Sequence, residues 1–354
     1  MNATKENTLA FVVIGRNEGD RLRGCLESIA SAGCAIVYVD SGSTDGSLEL
    51  AHSLGADVVS LDLREPFTAA RARNAGFERL ESLIAQGSIA RLDFVHFVDG
   101  DCQVAPGWVA ASLAAMLAHP EAAVICGRRR ERFPDRSIYN LLCDVEWNTA
   151  VGDVDECGGD ALVRVAAMRQ VGGYNPRVIA GEDSEMCMRL RSRGWRIVRI
   201  DAEMTLHDAA ITRFSQWWKR TVRAGHALAE RAALHGRTPL RDCVRQRRST
   251  IIWGCLVPLA WLMLLTKSLL WPNLFALAYL ALGWRIARYR RKCGDAPRAA
   301  CFYAAFTILG KLPQMQGLTT YYLNRWRGRT TTIIEYKAED AVSPGAAHLS
   351  QGCA

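Results

Sequence analysis

The chain has twelve cysteines in 354 residues, yet no Cys-x-x-Cys pair and no zinc-ligand spacing. That excludes a zinc ribbon and a thioredoxin-like redox centre, and fits reduced, mostly buried thiols in a cytoplasmic domain. There are no internal repeats, so a solenoid or propeller is excluded. No secretory signal precedes the first apolar run, since the chain starts Met1-Asn2-Ala3-Thr4-Lys5-Glu6-Asn7. The net charge is +8, but no nucleic-acid-binding motif appears and the basic residues are not interleaved with a stacking platform. One long stretch has almost no charge at all: residues 251–284 carry only Lys267.

Hydrophobic residues make up 49% of the chain and are unevenly spread. Residues 1–236 read as a soluble α/β domain, and 237–248 as a basic juxtamembrane linker. Residues 249–284 read as an apolar helical hairpin, 285–337 as a basic and interfacial helical segment, and 338–354 as a small, polar, disordered tail. Arg241, Arg245, Arg247 and Arg248 precede the apolar block, and Arg285, Arg288, Arg290, Arg291, Lys292 and Arg298 follow it. Basic flanks of this kind suit an anionic membrane surface. As one straight helix, residues 251–284 would be about 51 Å long at about 1.5 Å per residue, too long for a hydrocarbon core of about 30 Å. Thr266 to Asn273, with Lys267 and Pro272, reads as a turn between two arms of about 24–27 Å, each slightly short of a full span. Both basic flanks then face the cytoplasm. A buried pair of core helices is the competing reading.

In the first domain, strands alternate with helices, which implies a parallel sheet wrapped by helices. Strands are expected at Leu9 to Gly15, Ala35 to Val39, Asp57 to Leu61, Phe94 to Asp99, Ala122 to Cys126 and Trp195 to Ile200. Helices are expected from Asp20, acting as a cap, to about Ala32, over residues 68–87, after Pro106 in a first turn, and from Asp183 to Arg193. Gly158-Gly159 and Gly172-Gly173 bracket a short helix, and Phe214 to Leu234 forms a basic, Trp-bearing one.

The run Phe94-Val95-His96-Phe97-Val98-Asp99-Gly100-Asp101 ends an apolar strand in two carboxylates one residue apart. Open α/β sheets bind ligands at that edge. Two carboxylates there repel unless a hard cation, Mg²⁺ or Mn²⁺, neutralises them while also taking phosphate oxygens. An Asp-Gly pair is also a common turn. Asp40 ends the second strand, where an acidic residue can accept hydrogen bonds from a base or ribose. Asp183, beside Glu182, opens a helix, as an N-cap or as a general base for an attacking hydroxyl. His207 follows the late strand, as a structural histidine or a metal ligand.

Taken together, these residues resemble the family-2 glycosyltransferases of GT-A fold, over roughly residues 9–230. The carriers are Val12-Val13-Ile14-Gly15-Arg16-Asn17-Glu18, then Val39-Asp40-Ser41-Gly42-Ser43-Thr44-Asp45, Arg71-Ala72-Arg73-Asn74-Ala75-Gly76 and Asp99-Gly100-Asp101. Gly172-Gly173-Tyr174, Gly181-Glu182-Asp183, Arg189-Leu190-Arg191, Gly194-Trp195 and His207 come after them in order. The resemblance implies an α/β GT-A fold with a mostly parallel sheet, followed here by a C-terminal membrane hairpin. It implies that Asp40 reads the nucleotide base, that Arg73 and more weakly Arg71 contact the nucleotide or its phosphates, and that Asp99 meets ribose or metal. Asp101 and His207 are then metal ligands, Asp183 is the catalytic base, and Glu182 supports it or touches the acceptor. Gly158, Gly159 and Asp160 resemble the loop that shapes the donor-sugar and acceptor pocket.

Ser41 stands where the family often has a second Asp, and Gln216-Trp217-Trp218-Lys219-Arg220 does not match the Gln-x-x-Arg-Trp motif of processive synthases. The expected activity is therefore inverting, metal-dependent, non-processive transfer of a sugar from a nucleotide diphosphate donor to a hydroxyl. The apolar block suggests a lipid-linked saccharide acceptor in envelope polysaccharide assembly, at the cell inner membrane with the catalytic domain cytoplasmic. A nucleotidyltransferase and an inactive nucleotide-sugar-binding membrane scaffold are the alternatives. The first loop lacks the Gly-rich basic signature of the former, and Asp101 and Asp183 are both present against the latter.

Overall fold

An apolar run without alternation needs cover on both faces. In the computed structural model, which describes residues 9–265 and 270–329, Leu9–Gly15 (β1) receives that cover inside a nine-stranded sheet. It pairs in parallel with Ala35–Asp40 (β2) and with Phe94–Asp99 (β4), and β2 pairs in parallel with Asp57–Ser60 (β3). Cys102–Val104 (β5), Ala122–Glu131 (β6), Gly152–Val154 (β7), Ala161–Arg164 (β8) and Arg196–His207 (β9) complete the sheet, in the order β3-β2-β1-β4-β8-β6-β9-β5 with β7 beside β9. β3, β2, β1, β4, β6 and β9 run one way, and β8, β5 and β7 oppose them. The expected mostly parallel α/β architecture is thus present.

The register aligns the strand ends. Gly15 pairs with Asp40, and Ile14 with Asp99, so the carboxyl ends of β1, β2 and β4 meet at one edge.

The helices on the faces are Asp20–Ala30 (α1), Ser47–Ser53 (α2), Ala69–Ala85 (α3), Trp108–Ala118 (α4), Ile138–Trp147 (α5), Val165–Val171 (α6), Glu182–Ser192 (α7) and Phe214–His235 (α8). Three local expectations change. Asp20 is the first helical residue, and the cap is Gly19, whose φ of 49° favours glycine. α4 starts at Trp108, so Pro106 precedes the cap rather than sitting in the first turn. β9 does not stop at Ile200 but runs to His207, because β5 continues straight from the Asp99-Gly100-Asp101 turn and pairs with it, Cys102 opposite His207.

After α8 the chain forms Val244–Ile251 (α9), a π-helical turn at Ile252–Leu256, Val257–Leu265 (α10), Leu270–Lys292 (α11), Pro297–Leu309 (α12) and Lys311–Trp326 (α13). Residues 244–265 make one continuous helix of 22 residues, long and apolar enough to cross a membrane by length and composition. At about 1.5 Å per residue that is roughly 33 Å, longer than the arm expected from sequence, because the basic residues 244–248 are helical rather than linker. Only 6% of its most apolar stretch is buried. The centre of the expected turn, residues 266–269, and the tail expected at 338–354 lie outside the described residues. The stretch expected to be a single interfacial helix is two, α12 and α13, and both dock on the α/β domain. Phe306 of α12 lies edge-on to Trp217 and Tyr139. Leu318 and Tyr321 of α13 pack against Ala229 of α8, and Trp218 donates to Gln316 at 2.9 Å.

Candidate active site

The loops after β1 and β2 hold each other. Asn17 Oδ1 accepts the Thr44 N–H at 2.8 Å, the Asn17 N–H donates to Ser43 Oγ at 2.9 Å, and the Gly19 N–H donates to Asp45 Oδ2 at 2.9 Å. A second latch joins α3 to the turn before α7. Asn74 Nδ2 donates to the Tyr174 carbonyl at 2.8 Å, and Asn74 Oδ1 accepts the Tyr174 N–H at 2.9 Å. Arg189 binds Glu185 through both carboxylate oxygens and caps the Val171 and Gly173 carbonyls. These motif residues shape the wall rather than face the cleft.

The cleft itself, of about 880 Å³, lies along the carboxyl edge of the sheet and brings together Arg73, Asp99, Asp101, Gly158, Gly159, Glu182, Asp183 and His207. Arg73 is buried on α3 and bridges two elements: Nη2 to Asp99 Oδ1 at 2.7 Å and Nη1 to Glu182 Oε1 at 2.5 Å. Gly159 lies so close to this guanidinium that a Cβ there would collide with it. Burial pushes the Asp99 carboxyl up, against the pull of Arg73. Burial opposes the charge of Glu182 too, but Arg73 outweighs it and the carboxyl stays below its ordinary value. Asp183 differs. Burial and then the neighbouring Glu182 charge push it up to about 6, and its Oδ1 accepts only the Ser184 N–H, at 2.7 Å, among the described hydrogen bonds.

His207 Nε2 lies 3.2 Å from Asp101 Oδ2. Donor atoms of Asp101, Cys102 and His207 all fall within 4.8 Å of one another. His207 Nδ1 is buried with no hydrogen-bond partner, and Trp147 stands edge-on to the ring at 4.7 Å. An aspartate oxygen and an imidazole nitrogen this close fit Mn²⁺ well, and Mg²⁺ with added water ligands.

Three residues expected at the site do not line the cleft. Asp40 is buried in its own loop, where Oδ2 accepts the Gly42 and Ser43 N–H groups, both at 2.8 Å, and Oδ1 accepts the Tyr38 hydroxyl at 3.2 Å. Arg71 donates to the Glu65, Pro66 and Asp62 carbonyls and ties down that segment. Asp160 is fully buried behind the cleft, accepting the Asp99 N–H at 3.0 Å and the Thr205 hydroxyl at 2.9 Å.

Sequence reasoning missed Arg129, which lines the cleft and holds Asp160 at 2.8 Å. It also missed Trp147, over which Arg129 lies at 5.5 Å, and the cleft wall formed by Arg223, Lys311 and Gln314. The Arg128-Arg129-Arg130 run at the end of an apolar strand was the one available signal.

The model for "Glycosyl transferase family 2" matches residues 10–149, and that for "Glycosyl transferase family group 2" matches residues 94–313. The chain is 27% identical over 209 residues to the succinoglycan biosynthesis protein ExoA of Rhizobium meliloti, a match covering 55% of this chain and 62% of that protein. It is 26% identical over 240 residues to the pre-mycofactocin glycosyltransferase of Mycobacterium tuberculosis, covering 64% of this chain and 48% of that one. The chain thus spans about half to three-fifths of the length of these relatives. Among solved structures it is similar to glucosyl-3-phosphoglycerate synthase from Mycobacterium tuberculosis, with 18% identity, a TM-score of 0.47, and 65% of this chain and 81% of that one covered.

Proposed function

Given that this chain belongs to glycosyl transferase family 2, we propose that it transfers a sugar from a nucleotide diphosphate donor to an acceptor hydroxyl by single displacement, with inversion at the anomeric carbon. The observation that carries the reading is the pairing of Glu182 with Arg73, which leaves the adjacent Asp183 without a cation of its own and with its carboxyl pushed up to about 6.

A general base works best with a pKa near the working pH, and Asp183 meets that condition on the wall of the cleft. It takes the proton of the acceptor hydroxyl as that oxygen attacks. Arg73 keeps Glu182 charged and holds both Glu182 and Asp99 in place through its two Nη atoms. No second nucleophilic carboxylate is assigned, since the acidic neighbours of Asp183 are committed to Arg73, to His207 and, for Glu156, to Arg231. Asp101 and His207, with Asp99 nearby, are the residues that would hold Mn²⁺ or Mg²⁺. A divalent cation bound there supplies charge neutralisation for the departing β-phosphate. Gly158 and Gly159 let their loop close against the Arg129 and Arg73 guanidinium groups, and that loop would border the donor-sugar pocket.

The acceptor is proposed to be lipid-linked and the enzyme to sit at the inner membrane with its cleft in the cytoplasm. The support is the largely unburied helix over residues 244–265 and its basic flanks. A panel of nucleotide sugars tests the function: the purified full-length protein should bind and slowly hydrolyse at least one of them in the presence of Mn²⁺. Binding of free nucleoside triphosphates with pyrophosphate release would favour a nucleotidyltransferase instead.

A further inference from the structure

The charges in the cleft divide unequally. At the sheet edge, Asp99, Asp101 and Glu182 each have a cation or an imidazole beside them. Further along, one face of α8 presents Arg220, Arg223, Ala224, Ala227, Leu228 and Arg231 to the cleft, at helical spacing. Arg220 holds Glu146 at 3.0 Å, and Arg231 holds Asp242 at 2.8 Å and Glu156 at 2.9 Å. Arg223 makes no ion pair or hydrogen bond among the described residues, and its charge reaches Glu182 only at longer range, behind that of Arg73. Lys311, at the start of α13, lines the same cleft and donates from Nζ to Gln314 Oε1 at 3.1 Å, again with no carboxylate in contact. Two cations without a carboxylate against them thus face one solvent space beyond Asp183. Burial alone lowers the proton affinity of Lys311, which is the behaviour of an ammonium lacking its counter-charge.

This end of the cleft also leads to the apolar helix. Gln246 of α9 is part of its wall. The Lys311 carbonyl lies against Gly254 of the π-helical turn, so closely that a Cβ at 254 would collide with it. From that turn the exposed large apolar side chains are Ile252, Leu256, Leu259, Trp261, Leu262 and Met263. Carboxylate base, paired cations and apolar rail therefore succeed one another along a single path.

We propose that Arg223 and Lys311 form a subsite for a phosphate ester carried by the acceptor, between the hydroxyl that Asp183 deprotonates and the remainder of the acceptor molecule. The inference rests on the glycosyltransferase reading and names the chemistry of its second substrate. A planar guanidinium and an ammonium, held on two different helices, suit the oxygens of a phosphate monoester or diphosphate. The adjoining apolar rail favours a lipid as the source of that phosphate over a soluble ester.

The test is titration calorimetry on the full-length, detergent-solubilised protein in Mn²⁺, first with UDP, GDP, CDP, ADP and dTDP, then with farnesyl phosphate on the nucleotide-saturated protein. Farnesol and glycerol 3-phosphate are the comparison probes. Farnesyl phosphate should bind together with the nucleotide and far more tightly than farnesol. R223Q and K311Q should each weaken it by about tenfold or more, the usual worth of a charge-assisted hydrogen bond, and R223K should weaken it less. Tighter binding of farnesyl phosphate than of glycerol 3-phosphate, with the same losses in both variants, supports a lipid phosphate. Equal affinities with those losses support the subsite with a soluble phosphate ester. The subsite is overturned if farnesol binds as well as its phosphate, if neither Gln variant changes the affinity, or if farnesyl phosphate displaces the nucleotide. Nucleotide binding without farnesyl phosphate binding overturns the subsite alone, whereas failure to bind any nucleotide overturns the glycosyltransferase reading and the subsite with it.

Discussion

Arg73 Nη1 lies 2.5 Å from Glu182 Oε1, and this buried pair makes two adjacent carboxylates unlike. Glu182 is held charged by Arg73. Asp183, one residue on, has no such partner and carries the burden of both burial and its neighbour's charge. Environments that push neighbouring carboxyl groups apart are how a site assigns one of them to proton transfer.

The first prediction concerns Asp183 itself. Only its unprotonated form can accept a proton, and burial pushes its pKa up to about 6. In the wild type, kcat/KM should therefore fall as the pH drops below that value and level off above it. D183N should keep donor binding and lose roughly 10²–10⁴-fold in turnover, along with the acid limb. A wild-type profile that stays flat well into the acid range, or a variant that loses donor binding equally, would return Asp183 to a helix-capping role.

Glu182 is predicted to act differently. Its charge is the second cause, after burial, that raises Asp183. E182Q removes that repulsion, so Asp183 ionises more easily and the acid limb should move to lower pH. Turnover should suffer less than in D183N. If E182Q is the more damaging of the two and the limb stays in place, the roles of the pair are exchanged.

Asp101 and His207 face each other at 3.2 Å. D101A should abolish transfer, with excess Mn²⁺ rescuing little, because a directly coordinating carboxylate is lost. H207A should be milder and partly rescued by added metal. Titrating Mn²⁺ and Mg²⁺ into metal-stripped protein checks both, and full activity of the stripped wild type would remove both roles.

Asp40 satisfies two backbone N–H groups and a tyrosine hydroxyl of its own loop. Asp40→Ala leaves those donors without an acceptor, and we expect a loss of about 1–3 kcal/mol in folding stability, read from the denaturant midpoint. A variant of wild-type stability with altered preference among nucleotides would instead make Asp40 a reader of the base.

The membrane arrangement has its own test. Cys293 is free and exposed after α11, and Leu240 lies exposed before α9. In single-cysteine chains carrying either Cys293 or Leu240→Cys, an impermeant maleimide should label neither in intact cells and both after lysis. Labelling of one position from outside would mean that the helices after α8 cross an odd number of times.

Much of the candidate site is legible in the sequence. Asp99, Asp101, Asp183 and His207 stand out because strand ends and helix starts come from local hydrophobic pattern, and their order along the chain, together with the neighbouring motifs, separates them from ordinary turn and cap residues. Asp40 and Arg71 are legible as motif members, but not their direction. Whether a carboxylate turns into a cleft or back onto its own loop depends on which N–H groups lie free nearby, and the pattern of residue types does not encode that. β5 and the extension of β9 escape sequence reasoning because three-residue strands carry almost no periodic signal and exist only through their pairing.

The sequence by itself determined the alternation of strands and helices, the edge at which the acidic residues collect, and the apolar block with its basic flanks. These depend on near neighbours along the chain, and hydrophobic periodicity records them. Only the tertiary structure decided that Arg73 joins Asp99 to Glu182, that Arg129 backs the site, and that α13 returns to face α8, placing Lys311 and Arg223 on the wall of one cleft. The two Arg73 contacts alone join residues separated by 26 and 109 positions. Such pairs form where sheet register and helix packing bring distant segments together, so their charges balance in space and not along the chain.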